Sequence, residues 1–258
     1  MKKISRYLRL IFIFSMLISM TGCLHWIHAA QTYRQMSEFD RYFAVSAKED
    51  FTVHFKEPKL FSEDFVALAK LQPTDQTRTA DGNKLWHYLF RKVDKDNKLV
   101  EPEISFYCDL TFGKEDRVND WTFSKMFLQI APAEFLEASF RSLGGAEINE
   151  EKKQLRAKAE LAEKIAADLP KKAAVIKQLG EPLEIIDEEK LQIYQYMFKL
   201  DAKNIEEGYE DRAISEVKLM FDKNTTELVK MSGRFAGLKI SINYRDFLED
   251  EKKVADNR

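Results

Sequence analysis

Two stretches of alternating aromatic residues place the strongest constraint on the fold of this chain. The first is Trp86–Arg91, and the second is Tyr194–Lys199, at an offset of 108 positions (194 − 86). In both stretches every second residue is aromatic, whereas the residues between them are mostly polar or aliphatic. A period of two is typical of a strand that buries one face, so each stretch predicts a half-buried strand.

Neighbouring segments recur at nearly the same offset, which predicts a duplicated unit. The apolar positions of Cys108–Phe112 correspond to those of Val217–Phe221, at an offset of 109 (221 − 112). Phe65–Pro73 corresponds to Ala173–Pro182, which places a short helix before a proline in each half. The alternative is that two unrelated strand-rich stretches share a spacing, since aromatic alternation is common in sheets.

The predicted fold is therefore α+β, with two tandem units of one helix and a three-stranded antiparallel sheet, joined by a long helix. The third strands are assigned to Val118–Leu128 and Glu227–Phe235. The joining helix is assigned to Glu150–Leu169, where apolar residues recur at helical spacing and Pro170 ends the run. The predicted domains are a signal peptide over 1–22, a lipidated tether over 23–44, the first α+β unit over 45–148, the linking helix with the second unit over 149–248, and a polar tail over 249–258.

The N-terminal residues predict export and lipid attachment. Residues 1–9 carry four cations and no acid, and an apolar run follows over Leu10–Met20, which is the order of a signal peptide. The run ends in Met20–Cys23, which resembles the lipobox at which bacterial lipoproteins are acylated on cysteine and cut ahead of it. The alternatives are an uncleaved membrane helix, which needs about 20 apolar residues, or an ordinary signal peptide cut after Ala29 or Ala30.

This resemblance implies a lipoprotein with palmitate-type acyl chains on Cys23. Leu24 follows the cysteine where the inner-membrane retention signal of lipoproteins has Asp, so the resemblance implies the periplasmic face of the outer membrane. Several acyl chains on one cysteine hold a protein to a membrane almost permanently. Acylation of Cys23 leaves Cys108 without an intramolecular partner, and its alternating strand context indicates a small buried hydrophobe more than a nucleophile.

Composition and charge limit the classes of partner. Removal of residues 1–22 leaves 236 of 258 residues and lowers the net charge from −2 to −6, because four cations are lost. No long block of one sign remains. Proteins that bind nucleic acid usually have a basic face, so no nucleic-acid partner is predicted. The predicted partners are a membrane, through the N-terminal lipid, and an envelope protein.

Three short motifs in the second unit carry a family resemblance. They are Leu179–Pro182, the aromatic strand Tyr194–Tyr196, and Val217–Asp222. They resemble the Gly-x-Pro turn, the aromatic-x-Tyr strand and the apolar strand ending in Phe-Asp of small outer-membrane lipoproteins of the SmpA/OmlA (BamE) type; the first unit departs further, at Gln72–Pro73 and Phe112–Gly113. Tandem copies of this fold occur in secreted proteins similar to β-lactamase inhibitory protein, which bind enzymes across a concave sheet. The resemblance implies a binding module and transfers no catalytic residue.

The sequence predicts no catalytic residue, no metal site and no cofactor site. Ser215–Lys218 has the Ser-x-x-Lys spacing of penicillin-recognising enzymes, but that chemistry requires a helix start, and positions three apart in a strand point to opposite faces. His25 and His28 lie in the tether without a further ligand nearby. The loop Asp94–Glu103 lacks the glycine and the final glutamate of a calcium loop.

The leading functional prediction is a non-enzymatic envelope lipoprotein that binds a protein partner through its sheets, in an assembly or inhibitor-like role. Tyr107 and Trp121 are the candidate contacts, because exposed aromatic side chains are frequent interface anchors; packing against helices is the alternative for both. The rival function is a periplasmic carrier of a lipid or other apolar ligand in an aromatic groove. A hydrolase would require separate residues to converge in three dimensions, and His54 and His87 are predicted on solvated strand faces.

Lipid attachment at Cys23 can be tested by metabolic labelling. We expect the Cys23→Ala variant to incorporate no radiolabelled palmitate, because the acylated thiol is removed, while Cys108→Ala is labelled like the wild type. Label in the Cys23→Ala chain, or a mature N-terminus mapped downstream of Cys23, would contradict the assignment.

Overall fold

The computed structural model describes residues 24–145, 147–149, 154–156, 163–235 and 238–249. Within these ranges thirteen strands form one continuous sheet, accompanied by five α-helices. The helices are α1 (24–35), α2 (Phe39–Tyr42), α3 (Ser62–Ala69), α4 (Ala133–Ser142) and α5 (Lys172–Leu179). The strands are β1 (Phe43–Ala47), β2 (Phe51–Phe55), β3 (Asp75–Arg78), β4 (Lys84–Lys92), β5 (Ser105–Phe112), β6 (Val118–Phe123), β7 (Glu147–Asn149), β8 (Gln154–Arg156), β9 (Glu184–Asp187), β10 (Leu191–Leu200), β11 (Ile214–Asp222), β12 (Leu228–Phe235) and β13 (Leu238–Asn243).

The strand order across the sheet is β1-β2-β6-β5-β4-β10-β11-β12-β13-β8-β7. Neighbouring strands are antiparallel, except β13 and β8, which are parallel. β3 pairs with the first part of β4, and β9 pairs with the first part of β10. β4 and β10 overlap only at their last three residues, so β3 and β9 pair with the parts of these strands that extend past opposite ends of the overlap.

The predicted strands at the two aromatic stretches are confirmed as β4 and β10, and the predicted helices before Pro73 and Pro182 are confirmed as α3 and α5. In β4 the alternation buries Trp86 and Phe90 on one face, and in β10 it buries Tyr196 and Phe198 on the corresponding face. The hydrophobic period of two therefore determines which face of the sheet packs against the helices.

The prediction of two separate three-stranded units is wrong, because their strands join in one sheet. β4 of the first half pairs directly with β10 of the second half, through Phe90↔Leu200, Arg91↔Lys199 and Lys92↔Phe198. An isolated three-stranded unit would leave the backbone groups of an edge strand unpaired. Pairing β4 with β10 satisfies these groups and removes two edges.

The sheet is curled, with the aromatic face on the inside. The rings of Phe106 on β5 and Phe235 on β12 lie 6.4 Å apart, although four strand spacings, about 19 Å in a flat sheet, separate these strands. We call the enclosed face the inner face and the opposite face the outer face.

A helical segment fills the inner face. It includes a short 3-10 turn at Phe127–Gln129 and helix α4, and it buries Phe127, Ile130 and Phe135 against the sheet. The hydroxyl of Tyr244 donates a hydrogen bond to the carbonyl oxygen of Ile130. A smaller cluster of Trp86, Leu110, Phe112 and Val118 continues the inner face beneath α3.

A buried lysine fixes the junction between the two halves. The Lys92 ammonium group lies on the inner face of β4 and donates to the carbonyl oxygens of Leu179, at 2.7 Å, and Glu181, at 2.6 Å. These carbonyls lie at the C-terminus of α5, where the helix dipole favours a cation. Lys92 is buried, and this burial lowers the pKa of its ammonium group.

An arginine of the second half makes the reciprocal contact with the first half. Arg212 Nη1 donates to the carbonyl oxygens of Leu68, at 2.9 Å, and Ala69, at 3.0 Å, at the C-terminus of α3. Each half therefore supplies a cation to the last carbonyls of the other half's helix, which stabilises the joined sheet.

The long joining helix predicted over Glu150–Leu169 is also wrong in the part that the structure describes, residues 154–156 and 163–169; residues 150–153 and 157–162 lie outside the described ranges. Gln154–Arg156 is strand β8, and Ile165 forms a bridge with Leu248 in an irregular segment. The predicted apolar stripe consists mostly of alanines, which bury little area in a helix. β8 pairs instead with β7, over three residue pairs, and with β13 at Lys239↔Gln154.

Residues 24–35, within the predicted tether, form helix α1. Thr32 and Gln35 are buried, and Gln35 Nε2 donates to the carbonyl oxygen of Glu57 at 2.9 Å. Among the residues that the structure describes, no helix is long and apolar enough to cross a bilayer.

Removal of the Lys92 cation should destabilise the protein. We expect Lys92→Met to lower the free energy of unfolding by about 1–3 kcal/mol, because the buried carbonyl of Leu179 and the part-buried carbonyl of Glu181 lose their donor. The matched control is Lys199→Met, an exposed position one strand away, where the change should stay within about 0.5 kcal/mol. Urea unfolding of both variants measures this difference, and equal stabilities would contradict the junction's role.

Candidate functional site on the outer face

The outer face of the sheet carries most of the polar side chains that could act on a partner. In the first half, histidines and carboxylates lie on adjacent strands, whereas in the second half lysines predominate. The two groups therefore differ in charge.

Ser46, His54 and Asp120 form a hydrogen-bonded chain across β1, β2 and β6. His54 Nδ1 donates to Asp120 Oδ1 at 2.6 Å, and Ser46 Oγ lies 2.8 Å from His54 Nε2. The three side chains are connected in the same order, Ser-His-Asp, as in the catalytic triad of a serine hydrolase. The side chains of His54 and Asp120 are 42% and 33% exposed, so the chain lies open to solvent.

The surroundings of Ser46 do not support acyl transfer. The N–H of Lys56 donates to the Tyr42 carbonyl, so Tyr42 and Lys56 are a hydrogen-bonded pair of the β1–β2 ladder. Because such pairs alternate along antiparallel strands, Ser46 and Thr52 are also a hydrogen-bonded pair, and the N–H of Ser46 points to Thr52. The N–H of the nucleophile, a usual oxyanion donor, is therefore already occupied. The chain of bonds is better explained as polar packing between neighbouring strands.

A second pair, His87 and Asp109, lies on adjacent β4 and β5. His87 Nδ1 donates to Asp109 Oδ1 at 2.5 Å, and the His87 ring packs 5.1 Å from the Tyr107 ring. Burial raises the pKa of Asp109. The hydroxyl of Tyr107 donates to Asp50 Oδ2 at 2.6 Å, and this hydrogen bond raises the pKa of Tyr107.

The two predicted contact residues lie on opposite faces of the sheet. Tyr107 is on the outer face, half-buried between His87 and Asp50. Trp121 is on the inner face, with its ring 4.9 Å from Phe123. The structure therefore does not bring Tyr107 and Trp121 together, and only Tyr107 is available to an outer-face partner.

The second half of the outer face is basic. Five cations project from four adjacent strands, and we call them the basic face: Lys199, Lys218, Lys230, Arg234 and Lys239. Arg234 pairs with Asp211 at 2.6 Å. The four lysines have no ion-pair partner among the described residues. Two acids lie near them on this face: Glu216, opposite Arg234, and Asp201, two residues after Lys199, which pairs with Arg91.

Register brings these cations close to one another. Lys218 lies opposite Ser232, which is two residues from both Lys230 and Arg234, and Arg234 lies opposite Lys239. Diagonal positions in an antiparallel pair are about 7–8 Å apart. An exposed array of like charges at this spacing favours the approach of an acidic surface.

Two open clefts in the described part of the chain lie away from both groups. One, of about 250 Å³, is bordered by Gln72, Asp75 and Lys203. The other, of about 410 Å³, is bordered by Val66 and Trp86 with neighbouring residues. Both are open depressions, and the inner face is filled by aromatic side chains, so no enclosed groove for an apolar ligand is present there.

The remaining candidates from the sequence have structural roles. Ser215 is buried on the inner face whereas Lys218 is on the outer face, so the Ser-x-x-Lys pair cannot meet. Asp94 Oδ1 accepts the backbone N–H of Asp96 in a hairpin turn. The Cys108 thiol faces the core, and burial raises its pKa, which disfavours the reactive thiolate.

His25 and His28 both contact the carboxylate of Asp64. Asp64 accepts from His25 Nδ1 at 2.5 Å and from His28 Nδ1 at 2.9 Å. No group of three or more metal-ligating side chains with suitable geometry occurs in the described part of the chain. Cys23, the predicted lipidation site, lies outside the described residues.

Comparison with protein families, curated proteins and solved structures finds no match to this chain. The resemblance noted in the sequence therefore remains a prediction. Sequence reasoning did not identify the basic face. Its signal was present in the alternation of Ile214–Asp222 and Leu228–Phe235, where cations recur at the positions between apolar residues.

The raised pKa of Asp109 predicts a pH-dependent effect of Asp109→Asn. A carboxyl with a raised pKa binds its proton more tightly in the folded state, so its contribution to stability is complete below the ordinary value of 3.8 and is lost as pH rises through the raised pKa. We expect the stability of the wild type, relative to Asp109→Asn, to be greater at pH 4 than at pH 7. Urea unfolding at both pH values measures this difference, and a constant or reversed difference would contradict it.

Proposed function

We propose that this protein is a non-enzymatic lipoprotein of the bacterial envelope, anchored by acyl chains on Cys23 at the periplasmic face of the outer membrane, which binds an acidic protein partner. The observation that carries the proposal is the basic face, on which four lysines lie exposed or half-buried without ion-pair partners in the described chain. The anchor rests on the lipobox resemblance at Met20–Cys23.

Curvature supports binding on the outer face of the sheet. The inner, concave face is occupied by Phe127, Phe135 and the rest of the helical segment, so a partner has no access to it. The outer face of β10–β13 measures roughly 15 by 20 Å. Because a stable interface buries about 800 Å² on each partner, the proposed contact extends over β4 and β5, where Tyr107 lies.

The charge of the basic face supports an acidic partner. Opposite charges on two surfaces raise the association rate and orient the partners during approach. The binding is therefore expected to weaken as salt concentration rises, since exposed charges are screened beyond about 10 Å at 0.1 M salt.

The carrier function receives less support from the structure. The filled inner face offers no groove for an acyl chain, and the larger cleft beside Trp86 is open. An apolar ligand is usually bound in a cleft that buries most of its surface.

Charge reversal on the basic face tests the proposal. We expect the Lys218→Glu/Lys230→Glu/Lys239→Glu variant to lose the captured partner by about tenfold or more, because repulsion replaces attraction. The matched control is Lys95→Glu/Lys114→Glu/Lys190→Glu, which changes net charge equally at exposed turn positions. The readout is affinity capture from solubilised envelopes with quantitative mass spectrometry.

Three outcomes of this capture are distinguishable. An acidic protein recovered by the wild type and the control but lost from the basic-face variant supports the proposal. Equal recovery by both triple variants contradicts it. Recovery of a lipid, with no protein above background, would favour the carrier.

A further inference from the structure

The first turn of α1 presents three large apolar side chains to solvent. Leu24, Trp26 and Ile27 are 50%, 58% and 48% exposed, and they are three of the seven large hydrophobic residues exposed in the described ranges. We call them the anchor turn. Exposed apolar side chains clustered in one helical turn usually mark an interaction surface.

Two hydrogen bonds fix the orientation of this turn. Asp64, fully buried at the start of α3, accepts from His25 Nδ1 and His28 Nδ1, and also from the backbone N–H of Phe61 at 2.7 Å. The His28 ring additionally packs 5.0 Å from the Phe61 ring. The first turn of α1 is therefore docked on the folded domain through its histidines.

Helical geometry then directs the apolar side chains away from the domain. At 100° per residue, His25 and His28 lie on one side of the helix, whereas Trp26 and Ile27 lie on the opposite side. Leu24 lies between Ile27 and His28 on the helix surface, since positions three and four apart are neighbours, and its side chain is still 50% exposed. The docking of the histidines thus holds the anchor turn outward.

We propose that the anchor turn inserts into the headgroup region of the membrane and forms, together with the lipid on Cys23, a two-part anchor that sets the orientation of the domain. This inference rests on the proposed acylation, because Leu24 directly follows Cys23. Acyl chains on that residue would bring the anchor turn to the bilayer surface.

The chemistry of the anchor turn fits a lipid surface. Tryptophan is enriched where a bilayer meets water, because its ring is apolar and its indole N–H remains hydrated. Leucine and isoleucine add apolar area that acyl chains can cover, and a second membrane contact strengthens a lipid anchor. The His–Asp64 contacts would then transmit the position of the membrane to α3 and the sheet.

Fluorescence quenching in vesicles tests the insertion. The purified, full-length mature protein is reconstituted into phosphatidylethanolamine and phosphatidylglycerol vesicles whose acyl chains carry bromine, which quenches tryptophan on contact. Since Trp26 is one of three tryptophans, we expect roughly a third of the emission to be quenched in the wild type. Almost none should be quenched in Trp26→Phe, because Trp86 is buried and Trp121 packs against the core.

A matched control separates insertion from general exposure. The variant Trp26→Phe/Ile185→Trp places a tryptophan at a position of similar exposure, 46% for Ile185, on β9 instead of α1. Its emission should not be quenched. Quenching of the Ile185→Trp position equal to that of Trp26, or no quenching of Trp26, would overturn the inference.

The mass of the N-terminal peptide, measured on the same preparation, distinguishes failure of this inference from failure of the proposed anchor. An acylated chain with unquenched Trp26 overturns the insertion while the lipid anchor stands. An unacylated chain with quenched Trp26 overturns the lipid anchor but supports the insertion. An unacylated chain with unquenched Trp26 overturns both.

Discussion

The rest of the structure depends on two cationic side chains, each of which comes from one half of the sheet and binds the helix C-terminus of the other half. Lys92 of the first half binds the last carbonyls of α5, and Arg212 of the second half binds those of α3. Helix ends carry unpaired carbonyl groups that require donors when they are buried. Because each donor comes from the other half, neither half completes its own hydrogen bonds. The two halves are therefore expected to fold as one cooperative body.

Joining the halves determines which surfaces remain available for function. A single curled sheet encloses the aromatic face, and the segment containing Phe127 and Phe135 fills that space. Solvent then contacts the opposite face, where polar and charged side chains alternate with the core residues. The proposed function follows from this division, since the basic face lies on the open side and the apolar interior offers no accessible groove.

Local sequence patterns predicted individual elements but not their assembly. The aromatic alternation of β4 and β10 and the proline stops after α3 and α5 were sufficient to locate these elements. The junction involves three residue pairs between segments more than one hundred positions apart, for which no local pattern exists. Where the structure describes it, the helix predicted over Glu150–Leu169 is wrong, because a stripe made mostly of alanines has helical spacing but little apolar area to bury.

The candidate site was predictable only in part, for similar reasons. Tyr107 follows the regular alternation of β5 and lies on the outer face as expected. A β-bulge interrupts the pairing of β5 with β6 between Thr111 and Phe112, so Val118 and Trp121, three positions apart, share the inner face. Lys218, Lys230 and Lys239 form one surface only through the register of three strands, which the sequence does not specify directly.

Native-state hydrogen exchange at the junction tests the central claim of a single cooperative sheet most directly. The amide of Val93 donates to Met197, and the amide of Asp201 donates to Leu89, both at 2.9 Å across the two halves. We expect these amides to exchange only through global unfolding, with the same free energy and denaturant dependence as amides in the centres of β5 and β11. Exchange of Val93 and Asp201 through a lower-energy opening, while β5 and β11 stay protected, would contradict it.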